Sequence, residues 1–120
     1  MMTTHFGAQK DKEFMRLALA QAHQALAADE VPIGAIVVDQ QGAIIGVGFN
    51  QVEQKHTQQA HAEMQAIAMA TQQQKDWRLN NCWLYVTLEP CFMCIGLVRL
   101  SRMAGVVFGA PSPLFGFRLD

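Results

Sequence analysis

The segments His61-Ala62-Glu63 and Pro90-Cys91-Phe92-Met93-Cys94 decide how this sequence is interpreted. They lie about thirty residues apart and together offer one imidazole, two thiols and one carboxylate. Zn²⁺ prefers nitrogen and sulfur ligands in a tetrahedron, and a catalytic zinc has three protein ligands and one position for water. The sequence therefore predicts one zinc ion bound by His61, Cys91 and Cys94, with Glu63 as the acid/base beside it.

The spacing of these residues indicates how the chain presents them. Cys91 and Cys94 are three residues apart, so a helix that begins near Pro90 places both sulfurs on one face of its first turn. The positive end of a helix dipole favours thiolate over thiol at that position. His61 and Glu63 are two residues apart and would point in different directions on a regular helix. We therefore expect His61 at the mouth of a helix and Glu63 inside its first turn.

The pattern H-x-E followed by P-C-x-x-C is the known signature of zinc nucleobase deaminases. Three runs extend the similarity, namely EVPIGA at 30–35, TLEPCFMC at 87–94 and VVFGA at 106–110. With them, residues 11–120 resemble the bacterial tRNA-specific adenosine deaminases of the zinc-dependent cytidine/deoxycytidylate deaminase superfamily. The resemblance implies hydrolytic deamination of adenosine to inosine at the wobble position of tRNA, by a zinc-activated water with Glu63 as general acid/base.

The same resemblance implies the partners and the remaining site residues. The expected partners are a tRNA anticodon loop and a second copy of the chain in a homodimer. The expected substrate contacts are Asn50, Glu89 and Pro90. Gly34 is also expected there, because a glycine within a strand beside a catalytic pocket indicates that something approaches the backbone closely. Members of the family continue beyond the position of Asp120 with a strand and a C-terminal helix, which we expect this chain to lack.

Length and composition predict a single domain over residues 1–120, with a loose tail at residues 1–10. The resemblance implies that it is a zinc-dependent deaminase domain. The chain has 120 residues, 51% of them hydrophobic, which is enough for one buried core. No apolar run is long enough to cross a bilayer. Three cysteines, an odd number without a secretory leader, predict a reducing compartment and a cytoplasmic location. The net charge of −1 does not itself predict binding to nucleic acid.

Hydrophobic periodicity predicts alternating helices and strands. This order is typical of a three-layer α/β/α fold with a mixed central sheet. It agrees with the cytidine-deaminase-like fold that the resemblance implies. The helix that follows the cysteine pair is apolar on more than one side, so we expect it in the homodimer interface. The predicted elements are a helix at 11–28, a hairpin of strands at 33–38 and 43–49, a surface loop at 51–60, a helix at 61–74, a strand at 82–88, a helix at 92–101 and a strand at 105–109.

Other functions remain open at this stage. A deaminase of a free base or nucleotide, such as guanine, cytosine or dCMP, would share the same metal ligands and the same acid/base. A structural zinc module would need a fourth cysteine or histidine ligand. A redox C-x-x-C would leave His61 and Glu63 unexplained. His5, His23, His56 and Cys82 are expected to lie away from the metal.

Overall fold

The computed structural model describes residues 3–117 of the chain. Within them, the order of elements follows the predicted order, and the largest difference in a boundary is at the first helix, predicted to begin at residue 11 and observed to begin at Ala8. The elements are α1 (Ala8–Ala27), β1 (Gly34–Val38), β2 (Ile44–Phe49), α2 (Val52–Lys55), a 3-10 turn (Gln58–Ala60), α3 (Ala62–Gln74), β3 (Trp83–Leu88), α4 (Phe92–Leu100) and β4 (Gly105–Ala110).

The four strands form one mixed sheet in the order β2-β1-β3-β4. β1 pairs antiparallel with both β2 and β3, whereas β3 and β4 are parallel. A parallel pair needs a crossover connection, and α4 supplies it between β3 and β4. The cysteine pair therefore lies where the chain leaves the carboxyl end of β3.

Period-two alternation along β1 separates two hydrophobic clusters, one on each face of the sheet. Ala35 and Val37 belong to the cluster that includes residues of α3 and α4, and Ile36 and Val38 belong to the cluster that includes residues of α1. Every residue of β1 is buried. The predicted three-layer α/β/α arrangement with a mixed sheet is confirmed.

Helix α3 packs against the sheet at backbone distance. Ala62, Ala66 and Ala70 are fully buried, and they lie over Gly46 and Gly48 of β2. A Cβ at Gly48 would clash with the backbone oxygen of Ala62. Only glycine allows this approach, which fixes the amino end of α3 against the sheet.

The amino-terminal segment differs from the prediction of a loose tail at residues 1–10. Thr4 is 7% exposed, and both its amide N–H and its hydroxyl donate to the carboxylate of Asp11, at 2.9 and 2.6 Å. The hydroxyl of Tyr85, on β3, donates to the same carboxylate at 2.5 Å. This contact spans 74 residues of sequence, so no local pattern could have indicated it.

The segment 51–60, predicted to be a surface loop, contains α2 and the 3-10 turn. The carboxylate of Glu30 accepts hydrogen bonds from the backbone N–H groups of Glu53 at 3.0 Å and Gln54 at 2.7 Å. The hydroxyl of Thr57 accepts from the N–H of Gln59 at 3.1 Å. Side chains thus satisfy the free N–H groups of both short helices, which explains why a polar, aperiodic stretch is helical.

No helix among residues 3–117 has both the length and the apolar character needed to span a membrane.

Candidate metal centre and active site

The structure brings the three predicted ligand atoms together. The Nδ1 atom of His61 lies 3.4 Å from Sγ of Cys94 and 3.8 Å from Sγ of Cys91. All three atoms lie within 4.8 Å of one another. Around a tetrahedral zinc with Zn–S of about 2.3 Å and Zn–N of about 2.0 Å, a nitrogen and a sulfur are about 3.5 Å apart. The two measured distances lie on either side of this value, so the donor set fits zinc.

The amino ends of two helices hold these ligands. His61 is the residue before α3 and has extended backbone angles, and Cys91 holds the same position before α4. Cys94 lies in the first turn of α4 and is fully buried. The positive end of the α4 dipole therefore lies at the two sulfurs, as the spacing predicted.

Gln58 orients the ring of His61 from the 3-10 turn. Its side-chain oxygen lies 2.9 Å from Nε2 of His61, and because an amide oxygen only accepts, Nε2 carries the proton. The lone pair is then on Nδ1, which faces the sulfurs. Burial also lowers the pKa of His61 and favours the neutral imidazole that a metal ligand requires. Sequence analysis missed Gln58, whose only signal is its position three residues before a ligand.

Glu63 lies in the first turn of α3 and is 4% exposed. Burial raises the pKa of this carboxyl, while its own backbone N–H and Cys94 act in the opposite direction with smaller effect. A carboxyl group with a raised pKa takes up and returns a proton near neutral pH more readily than an exposed one. Its position beside the ligands and its burial both suit a general acid/base.

The electrostatics of the cluster also suit a divalent cation. Burial raises the pKa of Cys94, and the charges of Glu63 and Cys91 raise it further. Two thiolates and a carboxylate in one buried place repel one another, and a doubly charged cation among them offsets this repulsion. Within residues 3–117, no fourth cysteine, histidine or carboxylate joins the three ligand atoms at this spacing. A closed structural zinc site with four ligands is therefore not formed by the described residues.

Two adjoining cavities open beside the ligands. The larger has a volume of about 570 Å³, within the range of small-molecule sites, and its wall is mostly apolar. The smaller has a volume of about 230 Å³ and includes Asn50, Gln58 and Glu63 in its wall. The larger cavity is lined by Val31, Ile33, Gln58, His61, Glu63, Leu88, Glu89, Cys91, Met93, Ser112 and Phe115.

Two of the four expected substrate contacts lie at these cavity walls. Asn50 lines the smaller cavity, where its amide donates to the carbonyl oxygen of Val31 and accepts from the N–H of Val52, both at 3.2 Å. Glu89 lines the larger cavity, and its Oε1 accepts from the N–H of Ser112 at 3.1 Å. Both side chains are nearly buried and hold neighbouring backbone in place.

The other two expected contacts are not among the residues that line either cavity. Gly34 faces α1, where a Cβ would clash with the backbone of Ala18 and Ala22. The close approach that was expected at the pocket is thus an approach of helix to strand. Pro90 is fully buried, and its carbonyl oxygen accepts from the N–H of Phe117 at 3.0 Å.

The chain is similar in sequence to proteins of known function. The sequence model described as the cytidine and deoxycytidylate deaminase zinc-binding region matches residues 8–110. The chain is 40% identical over 111 residues to the tRNA-specific adenosine deaminase of Streptococcus pyogenes serotype M18, covering 92% of this chain and 69% of that protein. It is 45% identical over 106 residues to the chloroplastic tRNA(adenine(34)) deaminase of Arabidopsis thaliana, covering 88% of this chain and 8% of that protein.

Two solved structures share the fold. One comes from studies of A-to-I editing by tRNA:A34 deaminases at the wobble position of transfer RNA, with a TM-score of 0.84 and 40% identity over 88% of this chain and 75% of that one. The other is guanine deaminase from Bacillus subtilis, with a TM-score of 0.79 and 35% identity over 83% of this chain and 64% of that one. The chain spans only a small part of the plant protein and about two thirds of several bacterial relatives.

Proposed function

Because the chain belongs to the cytidine and deoxycytidylate deaminase family, with its zinc-binding region, we propose that it hydrolyses adenosine to inosine at the wobble position of a tRNA. The observation that carries this proposal is a buried carboxyl, Glu63, beside a three-ligand metal site that opens into a cavity large enough for a base. The name shared by the bacterial relatives supports the choice of substrate.

The proposed roles follow from the chemistry of the residues. His61, Cys91 and Cys94 hold the zinc, which when bound lowers the pKa of water to about 7. The Glu63 carboxylate accepts a proton from the attacking water as the oxygen reaches C6 of the purine. Glu63 then gives this proton to ring nitrogen N1, takes the proton of the new hydroxyl on C6 and passes it to the departing amine, so that the C6–N bond breaks, the C6–O bond becomes the carbonyl and ammonia leaves. Water plus adenosine thus balances inosine plus ammonia.

A basic surface supports RNA as the larger substrate. Four of the nine cationic residues of the chain, Lys75, Arg78, Arg99 and Arg102, follow the carboxyl ends of α3 and α4 or lie in their last turns. The guanidinium groups of Arg78 and Arg102 lie 4.6 and 5.6 Å from the ring centroid of Trp77, which is 52% exposed. The carboxylate of Asp76 pairs with Arg78 at 3.1 Å, and the other cations leave the cluster with a net positive charge that suits phosphate contacts.

The reach of this surface agrees with an anticodon stem-loop. The metal ligands lie at the amino end of α3, and Lys75 directly follows its carboxyl end. Thirteen helical residues at 1.5 Å each span about 20 Å. A substrate that touches both ends must be larger than a nucleoside.

A second candidate keeps the chemistry and changes the substrate to guanine. The structural similarity to Bacillus subtilis guanine deaminase, at 35% identity, favours it over other free bases. The decisive measurement is ammonia release from an anticodon stem-loop with a wobble adenosine, free adenosine, guanine, cytosine and dCMP, each offered to the zinc-loaded chain. Faster turnover of guanine than of the stem-loop would replace the first proposal by the second.

The exposed apolar side chains of α4 indicate how the chain assembles. We propose a homodimer that uses the exposed side of α4, where Phe92 is 57% and Leu100 is 69% exposed. Leu100 lies at the edge of an apolar groove that Met64, Ile67 and Trp77 also line. Apolar surface of this kind is typical of interfaces.

The cysteines bear on the location of the chain. Cys82, Cys91 and Cys94 are all free thiols, which supports a reducing compartment, and we propose the cytoplasm.

A further inference from the structure

Residues 112–117, here called the C-terminal wall, form one side of the larger cavity. Ser112 and Phe115 line it together with His61 and Glu63. The family match ends at residue 110, so the wall lies outside the region that this chain shares with the family model.

Both ends of the wall are attached to the segment that carries the metal ligands. At the first end, the N–H of Ser112 donates to Oε1 of Glu89 at 3.1 Å. At the last end, the N–H of Phe117 donates to the carbonyl oxygen of Pro90 at 3.0 Å. The ring of Phe117 also meets the ring of Phe108 edge to face, with centroids 6.3 Å apart. The wall is thus held to residues that directly precede Cys91.

The middle of the wall presents an aromatic side chain at the cavity. Phe115 is 72% exposed, and its backbone N–H donates to the hydroxyl of Ser112 at 3.3 Å. Resting on the proposed function, we propose that Phe115 is the surface on which the purine base of the substrate stacks. An aromatic ring gains about 1–3 kcal/mol from stacking on one base, and this contact would cover the ring when substrate is bound.

Glu89 acts in this proposal as the positioning residue of Phe115. Its carboxylate is 5% exposed and bonds to the wall, and a Cβ at Gly116 would lie only 2.5 Å from its Cδ and Oε2. The path of the wall therefore follows the surface of this carboxyl group. Glu89, expected from the sequence to contact the substrate, is assigned here to hold the residue that does.

The test compares variants of the wall in the zinc-loaded 120-residue chain. Phe115→Ala should raise KM for the wobble-adenosine hairpin about 5- to 100-fold and change kcat by less than about threefold, since stacking is lost equally before and during reaction. Phe115→Trp should keep KM close to the wild-type value. Gly116→Ala should raise KM with Phe115 still present, because the added methyl group pushes the wall away from Glu89. Leu114→Ala is the matched control, since Leu114 is 81% exposed and not among the residues that line the cavity.

A binding measurement separates this inference from the proposed function. In a Glu63→Ala background, calorimetry compares the hairpin with one that lacks the wobble base. Phe115→Ala should weaken binding of the intact hairpin by the factor expected for the change in KM. It should leave binding of the abasic hairpin unchanged. If the chain deaminates no hairpin but keeps this base-dependent effect, the proposed function fails and the stacking contact stands. If turnover is normal and Phe115→Ala leaves KM unchanged, or the abasic hairpin responds equally, the stacking contact is wrong. Absence of both turnover and binding rejects both.

Discussion

The Nε2 atom of His61 lies 2.9 Å from Oε1 of Gln58, and this single contact determines which nitrogen of the ring faces the two cysteines. Without it, the imidazole could rotate or place its proton on Nδ1, the atom 3.4 Å from Sγ of Cys94. A side chain that hydrogen-bonds a metal ligand changes the metal affinity of the site, although it does not touch the metal.

Gln58→Ala should therefore weaken zinc affinity by about 10- to 100-fold, because the free ring no longer presents one fixed lone pair. Competition with a chromogenic chelator measures the change. Gln59→Ala is the matched control, since Gln59 belongs to the same 3-10 turn and is not among the residues that line either cavity. Equal affinity in the two variants would contradict the role of Gln58.

Elemental analysis of the metal-replete chain should give about one zinc per chain, since one three-ligand cluster is present among residues 3–117. Cys91→Ala removes a ligand and should bring the ratio close to zero after dialysis. Cys82→Ala should retain zinc, because Cys82 is not part of the cluster. Unchanged zinc in Cys91→Ala would refute the ligand set.

Glu63→Gln should retain zinc and lower kcat by about 10²- to 10⁴-fold, because a neutral amide keeps the shape of the side chain but moves no proton. Glu13→Gln, on the exposed face of α1, serves as the control and should keep the wild-type rate. Near-normal turnover by Glu63→Gln would require another proton carrier. Loss of zinc together with activity would instead indicate that Glu63 holds the metal site together.

Asp11→Asn should destabilise the fold at pH 7 by about 1.5–3 kcal/mol, the range for hydrogen bonds to a charged group. Burial alone would raise the pKa of Asp11, but hydrogen bonds from Thr4 and Tyr85 outweigh burial and lower it below its ordinary value of 3.8. A carboxylate with a lowered folded-state pKa contributes stability above its unfolded pKa and loses it as the pH falls through the folded one.

The difference in free energy of unfolding between wild type and Asp11→Asn should accordingly be constant from pH 7 to about pH 5. It should shrink as the pH falls below about 4. Urea unfolding at a series of pH values measures it. Asp29→Asn is the control, since Asp29 is exposed and its φ of 60° suits asparagine. If the difference in free energy of unfolding grows towards acid pH, the statement that folding lowers the pKa of Asp11 is wrong.

Leu100→Glu should convert the proposed dimer into a monomer, because it places a charge on a side chain that is 69% exposed at the apolar groove. Leu97 on the same helix is a poorer probe, since it packs against the core and its substitution would also unfold the chain. Sedimentation equilibrium at micromolar concentration reports the mass. Leu26→Glu, on α1 and 56% exposed, should leave the dimer intact. A dimer that tolerates Leu100→Glu uses another surface.

The metal centre could be predicted from the sequence because few residue types bind zinc and their spacing here is characteristic. The spacing of Cys91 and Cys94 within one helical turn and the types of His61 and Glu63 restrict the possibilities to few sites. The three layers were predictable because alternate residues of a strand face opposite sides of the sheet, and the apolar residues of β1 indicate that both sides are buried.

Features that depend on long-range contacts could not be predicted in this way. The Asp11–Tyr85 hydrogen bond and the attachment of Ser112 to Glu89 join residues 74 and 23 positions apart, and neither leaves a repeat or motif. Gln58 lies close to a ligand in sequence, yet its polar surroundings resemble those of any surface loop. Gly34 was expected at the pocket because glycine signals close approach, but the sequence does not say which backbone approaches.

The helix ends that carry the ligands also have a consequence for the order of events during folding. Cys91 and Cys94 lie three residues apart and can present two sulfurs as soon as α4 forms its first turn. His61 can join them only after a loop of about thirty residues has closed and α3 has docked on Gly46 and Gly48. We therefore expect the chain to bind zinc tightly only once its sheet is assembled, because the third ligand depends on it.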